Sequence, residues 1–316
     1  MLDKPLQPEP PAADRSPVPL DRPFTSAMAA AAGVSRRQLD LWTANGALRR
    51  PIKGVYHASD LPDSLGLRLD VLQLVVPEAC VVTDRTAGWL WGANMILAPN
   101  DHLTVPKAQV FCPPGLRLRN GLANSGERML SPGDVAVVGG LRVTTPLRTA
   151  CDLGRLLYRD QAFAAMDSLA ALRSFTVDEL VTTTRRFAGY RGVIQLRALA
   201  PFVDPDSQSP GESILRLRWL DLGFPRPKCQ VEVPAPHGGS YWVDIGLPDQ
   251  LFGAEYDGED FHTEDEVEHD GSRRDWMRRT ENWTIVVARK FNIHGPRQDI
   301  DQMLVLAAHE AGLKLR

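Results

Sequence analysis

The chain has 316 residues, more than one hydrophobic core usually serves, so two or three domains are expected. With 43% hydrophobic and 24% charged residues it has the make-up of an ordinary folded protein, which excludes disorder over most of its length. A formal net charge of -3 excludes a uniformly cationic surface, although a local basic patch able to neutralise a few phosphates remains open.

No apolar run approaches the length of a bilayer span, and the N-terminus carries Asp3, Lys4 and prolines where a signal core would lie, so a cytoplasmic location without membrane contact is expected. The four cysteines, Cys80, Cys112, Cys151 and Cys229, form no C-x-x-C pair. They read as isolated reduced thiols that pack as small apolar groups, not as a zinc site.

Residues 1–23 hold seven prolines and few large apolar side chains, which predicts a disordered arm. Thr25 or Ser26 then caps a short helix over Ala27–Ala32, and Gly33 breaks it. Ser35 caps a second helix that runs to about Ala44, where Asn45-Gly46 ends it. Leu48–Arg50 and Lys53–Tyr56 follow as two short strands around a basic turn. Helix, glycine turn, helix and basic hairpin is the order of a winged helix-turn-helix, placed at residues 24–60.

In that motif the first residues of the second helix face base edges. Here they are Arg36, Arg37 and Gln38; arginine can pair with guanine and glutamine with adenine. Val34, Leu39 and Trp42 fall where they would turn inward. Arg49, Arg50 and Lys53 lie where a wing meets the phosphate backbone. The alternative is a small helical domain with a solvated basic face.

Residues 61–200 read as a mixed α/β section. Helices are expected over Leu65–Val76, Thr83–Trp91, Thr145–Leu157, Ala162–Leu172 and Thr176–Phe187, the last opened by the Thr176-x-x-Glu179 capping box. Strands are expected at Leu103–Val105, Leu116–Leu118 and Val135–Val138. Phe202–Gly211 reads as a linker or exposed loop.

From residue 201 the order is helix (Glu212–Leu222), strands (Cys229–Val233, Tyr241–Gly246, Leu251–Tyr256), a charged stretch, a strand (Thr284–Ala288) and a helix (Gln298–Ala311). That is the order of an α/β sandwich. Asp244 lies near the end of one strand, and Glu255 and Asp257 share a face of the next. Glu212 is a further carboxylate within reach. Such a cluster is relieved by a cation that prefers oxygen, Mg²⁺ or Mn²⁺, which can activate water beside a phosphodiester. Solvated acids at strand ends are the alternative. His262 and His269 are too unspecific in spacing for zinc. Arg273, Arg274, Arg278 and Arg279 would either hold phosphate or form a solvated helix face.

Three stretches carry a family resemblance: Ser35-Arg-Arg-Gln-Leu to Gly54-Val-Tyr, Thr83-Asp-Arg-Thr-Ala-Gly-Trp-Leu-Trp-Gly, and Val143-Thr-Thr-Pro-Leu-Arg-Thr-Ala-Cys-Asp-Leu. Together they resemble AbiEi-type antitoxins and transcriptional regulators over roughly residues 24–200. The resemblance implies double-stranded DNA binding and transcriptional regulation, as a repressor or antitoxin. A toxin, or a second copy of the chain, is the protein partner left open. Within the third stretch, Arg148 and Asp152 are read as an i, i+4 ion pair at a helix start.

Glu212-Ser-Ile-Leu-Arg, Gln230, Asp244, Glu255-Tyr-Asp-Gly, His262, Asp270, Arg273-Arg274 and Asn282–Val287 resemble the very-short-patch-repair-like endonucleases of the PD-(D/E)XK superfamily. This second resemblance implies a restriction-endonuclease-like fold over residues 201–316. It implies metal binding by Asp244 and Glu255 with help from Glu212, and His262 as the acid or base. Asp257 stands where most of that superfamily has lysine, which leaves the general base open. The expectation is therefore a DNA-binding regulator carrying a nuclease-like domain, with a metal-dependent endonuclease targeted by its winged helix-turn-helix as the alternative.

Overall fold

The computed structural model describes residues 16–94, 104–113, 115–116, 118, 121–126, 128–236, 238–258, 273–295 and 298–313. These fall into two compact units, the first within Met1–Gly92 and Leu97–Thr149, the second within Ala93–Ile96 and Ala150–Arg316. No described helix is long and apolar enough to cross a membrane.

The first unit opens with β1 (Phe24–Thr25), α1 (Ser26–Ala31) and α2 (Arg36–Ala44). Thr25 caps α1 by accepting the Met28 N–H at 3.1 Å. Strands β2 (Leu48–Ile52) and β3 (Val55–Ala58) form an antiparallel hairpin, and β1 adds to it in the order β1-β3-β2. Val34, Leu39 and Trp42 are buried with Phe24, Ala29, Leu48 and Tyr56, as their spacing predicts. Val18 is buried in the same cluster, so the expected disorder of residues 1–23 does not extend over it. One apolar side chain that finds a core offsets the ordering of a short proline-rich segment. Residues 1–15 of that arm lie outside the described residues.

Next come α3 (Leu65–Gln73), β4 (Val81–Val82), α4 (Asp84–Trp91), β5 (Ala108–Phe111), β6 (Ala123–Gly126), β7 (Val135–Val138) and β8 (Leu141–Thr144). The five strands make a mixed sheet in the order β6-β5-β4-β8-β7. The strands expected at 103–105 and 116–118 are not found at the described positions among them; β5 and β6 stand instead at 108–111 and 123–126. Cys80 and Cys112 are not isolated either. They lie at adjoining ends of β4 and β5 and share one core with Val82, Val110 and Val143.

Helix α5 (Pro146–Leu156) starts within the first unit. Its Arg148 is anchored to Asp134 at 2.9 Å and to the Met129 carbonyl at 3.2 Å, so the arginine serves a partner distant in sequence. Asp152 in turn accepts from Arg155 at 2.7 Å.

The second unit continues with α6 (Arg159–Ala170), α7 (Val177–Thr183), α8 (Val193–Leu199) and α9 (Pro210–Asp221). The capping box at Thr176 and Glu179 is formed. Arg216 of α9 is fully buried, paired with Asp167 of α6 at 2.5 Å and stacked over Phe163 at 4.6 Å. It also donates to the Phe202 carbonyl, so the stretch expected as a linker is tied down, with Val203 buried.

Strands β9 (Lys228–Pro234), β10 (Ser240–Leu247), β11 (Phe252–Asp257) and β12 (Thr284–Arg289) form a sheet in the order β12-β11-β10-β9. Pairing is antiparallel except for the parallel β11–β12 pair. Helix α10 covers residues 273–280, followed by α11 (Lys290–Ile293) and α12 (Ile300–Glu310). Helices α9 and α12 share one core with the sheet, through Trp219, Phe252, Ala254, Val286 and Leu304. Met277 of α10 belongs to another, with Val231, Val243 and Trp283.

Candidate functional site

In the first unit, the start of α2 is held by a reciprocal cap. The Ser35 hydroxyl oxygen accepts the Gln38 N–H at 3.3 Å, and Gln38 Oε1 accepts the Ser35 N–H at 2.8 Å. Gln38 Oε1 also accepts from the Ser35 hydroxyl at 2.8 Å. Two otherwise orphaned donors are satisfied this way. Pairing with adenine in the way expected of Gln38 would ask the same oxygen to accept from the base. Gln38 thus completes the cap, and Arg36 and Arg37 stand exposed on the first turn.

The hairpin departs from a free wing. Its tip, Lys53-Gly54, is docked: the Lys53 N–H donates to the Pro106 carbonyl at 2.7 Å. A Cβ on Gly54 would lie 2.6 Å from Leu122 Cδ2, and the Gly54 φ is +82°. Ile52 and Val55 belong to the core of the five-stranded sheet. The tip is thus packed against Pro106 and Leu122, and Lys53 is half-buried. Arg50 is half-buried, with its guanidinium 5.3 Å from the centre of the Tyr56 ring, and only Arg49 of the three is exposed.

In the second unit, the carboxylates gather where two strands part. The β10–β11 register runs from Leu247 opposite Phe252 to Ile245 opposite Ala254. Asp244 and Glu255 come next on the two strands. There the Asp244 carboxylate replaces a backbone acceptor, taking the Tyr256 N–H at 2.7 Å. Side chains change face across Asp244, since Ile245 packs in one core and Val243 in the other. On the neighbouring strand Gln230 has a left-handed φ of +49°. A non-glycine residue held this way stores strain, a feature that concentrates at functional sites.

Glu212 reaches the same place from α9. Its backbone N–H donates to the capping Ser209 hydroxyl at 3.1 Å, and its Oε2 accepts from the Gln208 N–H at 2.9 Å and Gln230 Nε2 at 3.1 Å. The neighbouring Gly211 permits this approach: a Cβ there would lie 2.1 Å from the Tyr256 ring. Burial raises the Glu212 carboxyl above its ordinary range. Burial, then the nearby Glu212 and Glu255 charges, push Asp244 up to about 7, against the opposing Tyr256 hydrogen bond and Arg273 charge.

Glu255 is buried at 3% exposure. Its Oε2 accepts from Arg274 Nε at 2.7 Å and Arg273 Nη2 at 2.9 Å. Its Oε1 is buried without a hydrogen-bond partner among the described residues. Arg273 also donates to the Trp242 carbonyl at 3.1 Å, and Asp257 lies 3.7 Å from Arg274 and 4.0 Å from Arg289. Of the four arginines expected to hold phosphate or to face solvent, Arg273 and Arg274 are thus turned inward. Arg278 and Arg279 are exposed. The sequence held no sign of this pairing, because 18 residues separate Arg273 from Glu255.

Glu212, Asp244 and Glu255 come near enough to influence one another, yet among the described residues no group of three or more His, Cys, Asp or Glu is arranged to hold a metal ion. His262, His269 and Asp270 lie outside the described residues.

Comparison with known proteins identifies two matched regions. Residues 21–57 match "Transcriptional regulator, AbiEi antitoxin", and residues 79–202 match the "AbiEi antitoxin C-terminal domain". The chain is 33% identical over 258 residues to Uncharacterized protein MT2308 and to Uncharacterized protein Rv2248, from two strains of Mycobacterium tuberculosis. Each match covers 80% of this chain and 89% of the relative. The chain belongs to the family of these mycobacterial proteins and carries the transcriptional-regulator and C-terminal domains of AbiEi antitoxins.

Proposed function

We propose that this protein is a sequence-specific DNA-binding transcriptional regulator of antitoxin type. In this reading residues 24–60 are a winged helix-turn-helix whose α2 enters the major groove. The observation that carries it is the exposure of Arg36 and Arg37 on the first turn of a helix whose start is locked by Ser35 and Gln38. A fixed helix start is what lets a guanidinium pair with guanine in a defined direction. Arg49 contributes a phosphate contact, while Arg50 and Lys53 support the hairpin and contribute little. The antitoxin domain makes a toxin the protein partner class. Selection of bound sequences from a random DNA pool tests the reading. A single enriched motif, lost in the Arg36→Ala, Arg37→Ala double variant, supports it; enrichment of no motif refutes it.

A second reading rests on the carboxylates. The helix, three antiparallel strands, helix and parallel fourth strand from about residue 201 support a PD-(D/E)XK reading, and the buried Oε1 of Glu255, without a hydrogen-bond partner among the described residues, suits a hard divalent cation. Asp244 and Glu255, supported by Glu212, would hold Mg²⁺ or Mn²⁺. The ion would supply an activated water for phosphodiester hydrolysis. His262 remains the proposed acid or base and Asp257 a supporting carboxylate. Against cleavage stand the two arginines that already neutralise Glu255. We rank regulation first. Nicking of supercoiled DNA with either metal, abolished by Asp244→Ala, would reverse that order.

A further inference from the structure

Val81 faces Phe111 and Val82 faces Val110 in the antiparallel β4–β5 ladder. One step further, the same register sets Cys80 opposite Cys112. The phase of the ladder follows from the Thr83 N–H, which donates to the Gln109 carbonyl at 3.0 Å. Hydrogen-bonded and non-hydrogen-bonded pairs alternate in antiparallel strands, so Thr83–Gln109 and Val81–Phe111 are of the first kind, and Val82–Val110 and Cys80–Cys112 of the second. Pairs of the second kind hold their Cα atoms about 4.5 Å apart, inside the roughly 4.4–6.8 Å that a disulfide spans. Both side chains belong to one buried core.

We propose that Cys80 and Cys112 form a reversible disulfide site, closed by a peroxide or by exchange with a small disulfide. With hydrogen peroxide, one thiolate attacks a peroxide oxygen, the O–O bond breaks, and a sulfenic acid and water result. The second thiolate then displaces hydroxide from that sulfur, the S–S bond forms, and a second water leaves. The two sulfurs give up two electrons, which reduce the peroxide. With a small disulfide, one thiolate first forms a mixed disulfide, and the second displaces the remaining small thiol.

Both cysteines are buried, and burial pushes the Cys80 thiol up to about 12. The attacking thiolate is therefore scarce and closure is slow, while the ladder geometry decides where the bond forms. Cys151 lies on α5, and Cys229 faces Ile245.

The test equilibrates the full chain in glutathione buffers of increasing oxidised fraction, starting from reduced and from oxidised protein until the two converge. Remaining thiols are alkylated in denaturant and mapped by mass spectrometry, and a parallel arm uses hydrogen peroxide. A Cys80–Cys112 linked peptide, reversed by dithiothreitol, with Cys151 and Cys229 alkylated, is expected. In Cys112→Ser, Cys80 should be recovered without a disulfide to another protein cysteine; Cys80→Ala gives the mirror measurement if that variant does not fold. Alkylation of both cysteines in the most oxidising buffer, or pairing of either with Cys151 or Cys229, overturns the proposal.

Discussion

Arg274 Nε donates to Glu255 Oε2 at 2.7 Å, so the carboxylate most deeply set in the C-terminal sheet is neutralised by the helix that carries residues 273–280. Arg273 adds a second bond to the same oxygen. Removing the cations from a buried carboxylate costs about 3–5 kcal/mol when nothing replaces them. The arginines keep partial contact with water, so the Arg273→Ala, Arg274→Ala double variant is expected near the lower end of that range in urea unfolding. Glu255→Gln should cost less, because it leaves partly solvated guanidinium groups instead of a buried charge. An unfolding midpoint for the double variant equal to wild type would show that the pair is not formed.

Asp244 gives stability a pH dependence of opposite sign to that of a salt-bridged carboxylate. Its folded value, about 7, lies above the ordinary 3.8. Between those values the folded chain keeps a proton that the unfolded chain releases, so stability falls as pH rises through this window. Above it the full cost is present, as much as about 4 kcal/mol. Glu212, raised by burial, acts in the same direction. Asp244→Asn should be more stable than wild type above pH 7, with the gap shrinking toward pH 4. Thermal melts across that range check the sign, and a gap that widens on acidification would contradict it.

The exposed arginines of α2 and the docked lysine of the hairpin should separate in DNA binding. Arg37→Ala is expected to cost about 1–3 kcal/mol at the preferred site and to relax its preference. Lys53→Ala should change affinity little, since the tip it occupies is packed against Pro106 and Leu122. Fluorescence anisotropy with specific and scrambled duplexes at several salt concentrations measures both. A Lys53→Ala loss as large as that of Arg37→Ala would mean that the hairpin tip does meet DNA.

The reciprocal cap on α2 predicts that Ser35→Ala lowers stability by about 1 kcal/mol. Gln38→Glu should retain the cap, since a carboxylate oxygen accepts the same Ser35 N–H and favours the helix N-terminus. If Gln38 instead read adenine, Gln38→Glu would abolish specific binding while leaving the melting temperature unchanged. Circular dichroism melts and duplex titrations on the two variants distinguish these roles.

Gly211→Ala should be far more damaging than an alanine in a helix usually is. Its new methyl would overlap the Tyr256 ring, forcing α9 away from β11 and carrying Glu212 with it. Overpacking of this kind typically costs about 1–3 kcal/mol. Urea unfolding should show that loss, and Tyr256→Ala, which opens the space, should restore part of it when combined. Full additivity of the two changes would disprove the contact.

Helix starts and stops were legible because their causes are local. Thr25, Ser35, Ser64 and Thr176 each accept a hydrogen bond from a backbone N–H three residues on, a relation visible in a few consecutive letters. The apolar spacing of Val34, Leu39 and Trp42 likewise identified the buried side of α2, because 3.6 residues per turn leaves little choice. The strands of the C-terminal sheet and the order in which its carboxylates occur were readable for the same reason.

Long-range partners were settled only by tertiary structure. Cys80 and Cys112 look scattered in sequence and meet because β4 and β5 pair in one register. The basic hairpin has the composition of a wing, yet Leu122 and Pro106, far along the chain, bury its tip. Arg148 finds Asp134, and Glu255 finds Arg273 and Arg274, across separations that no helical or strand period links. Local hydrogen-bond geometry and side-chain periodicity determine which elements form. The partners of a buried charge, thiol or turn depend on sheet order, register and the face each element covers, and those are properties of the assembled core.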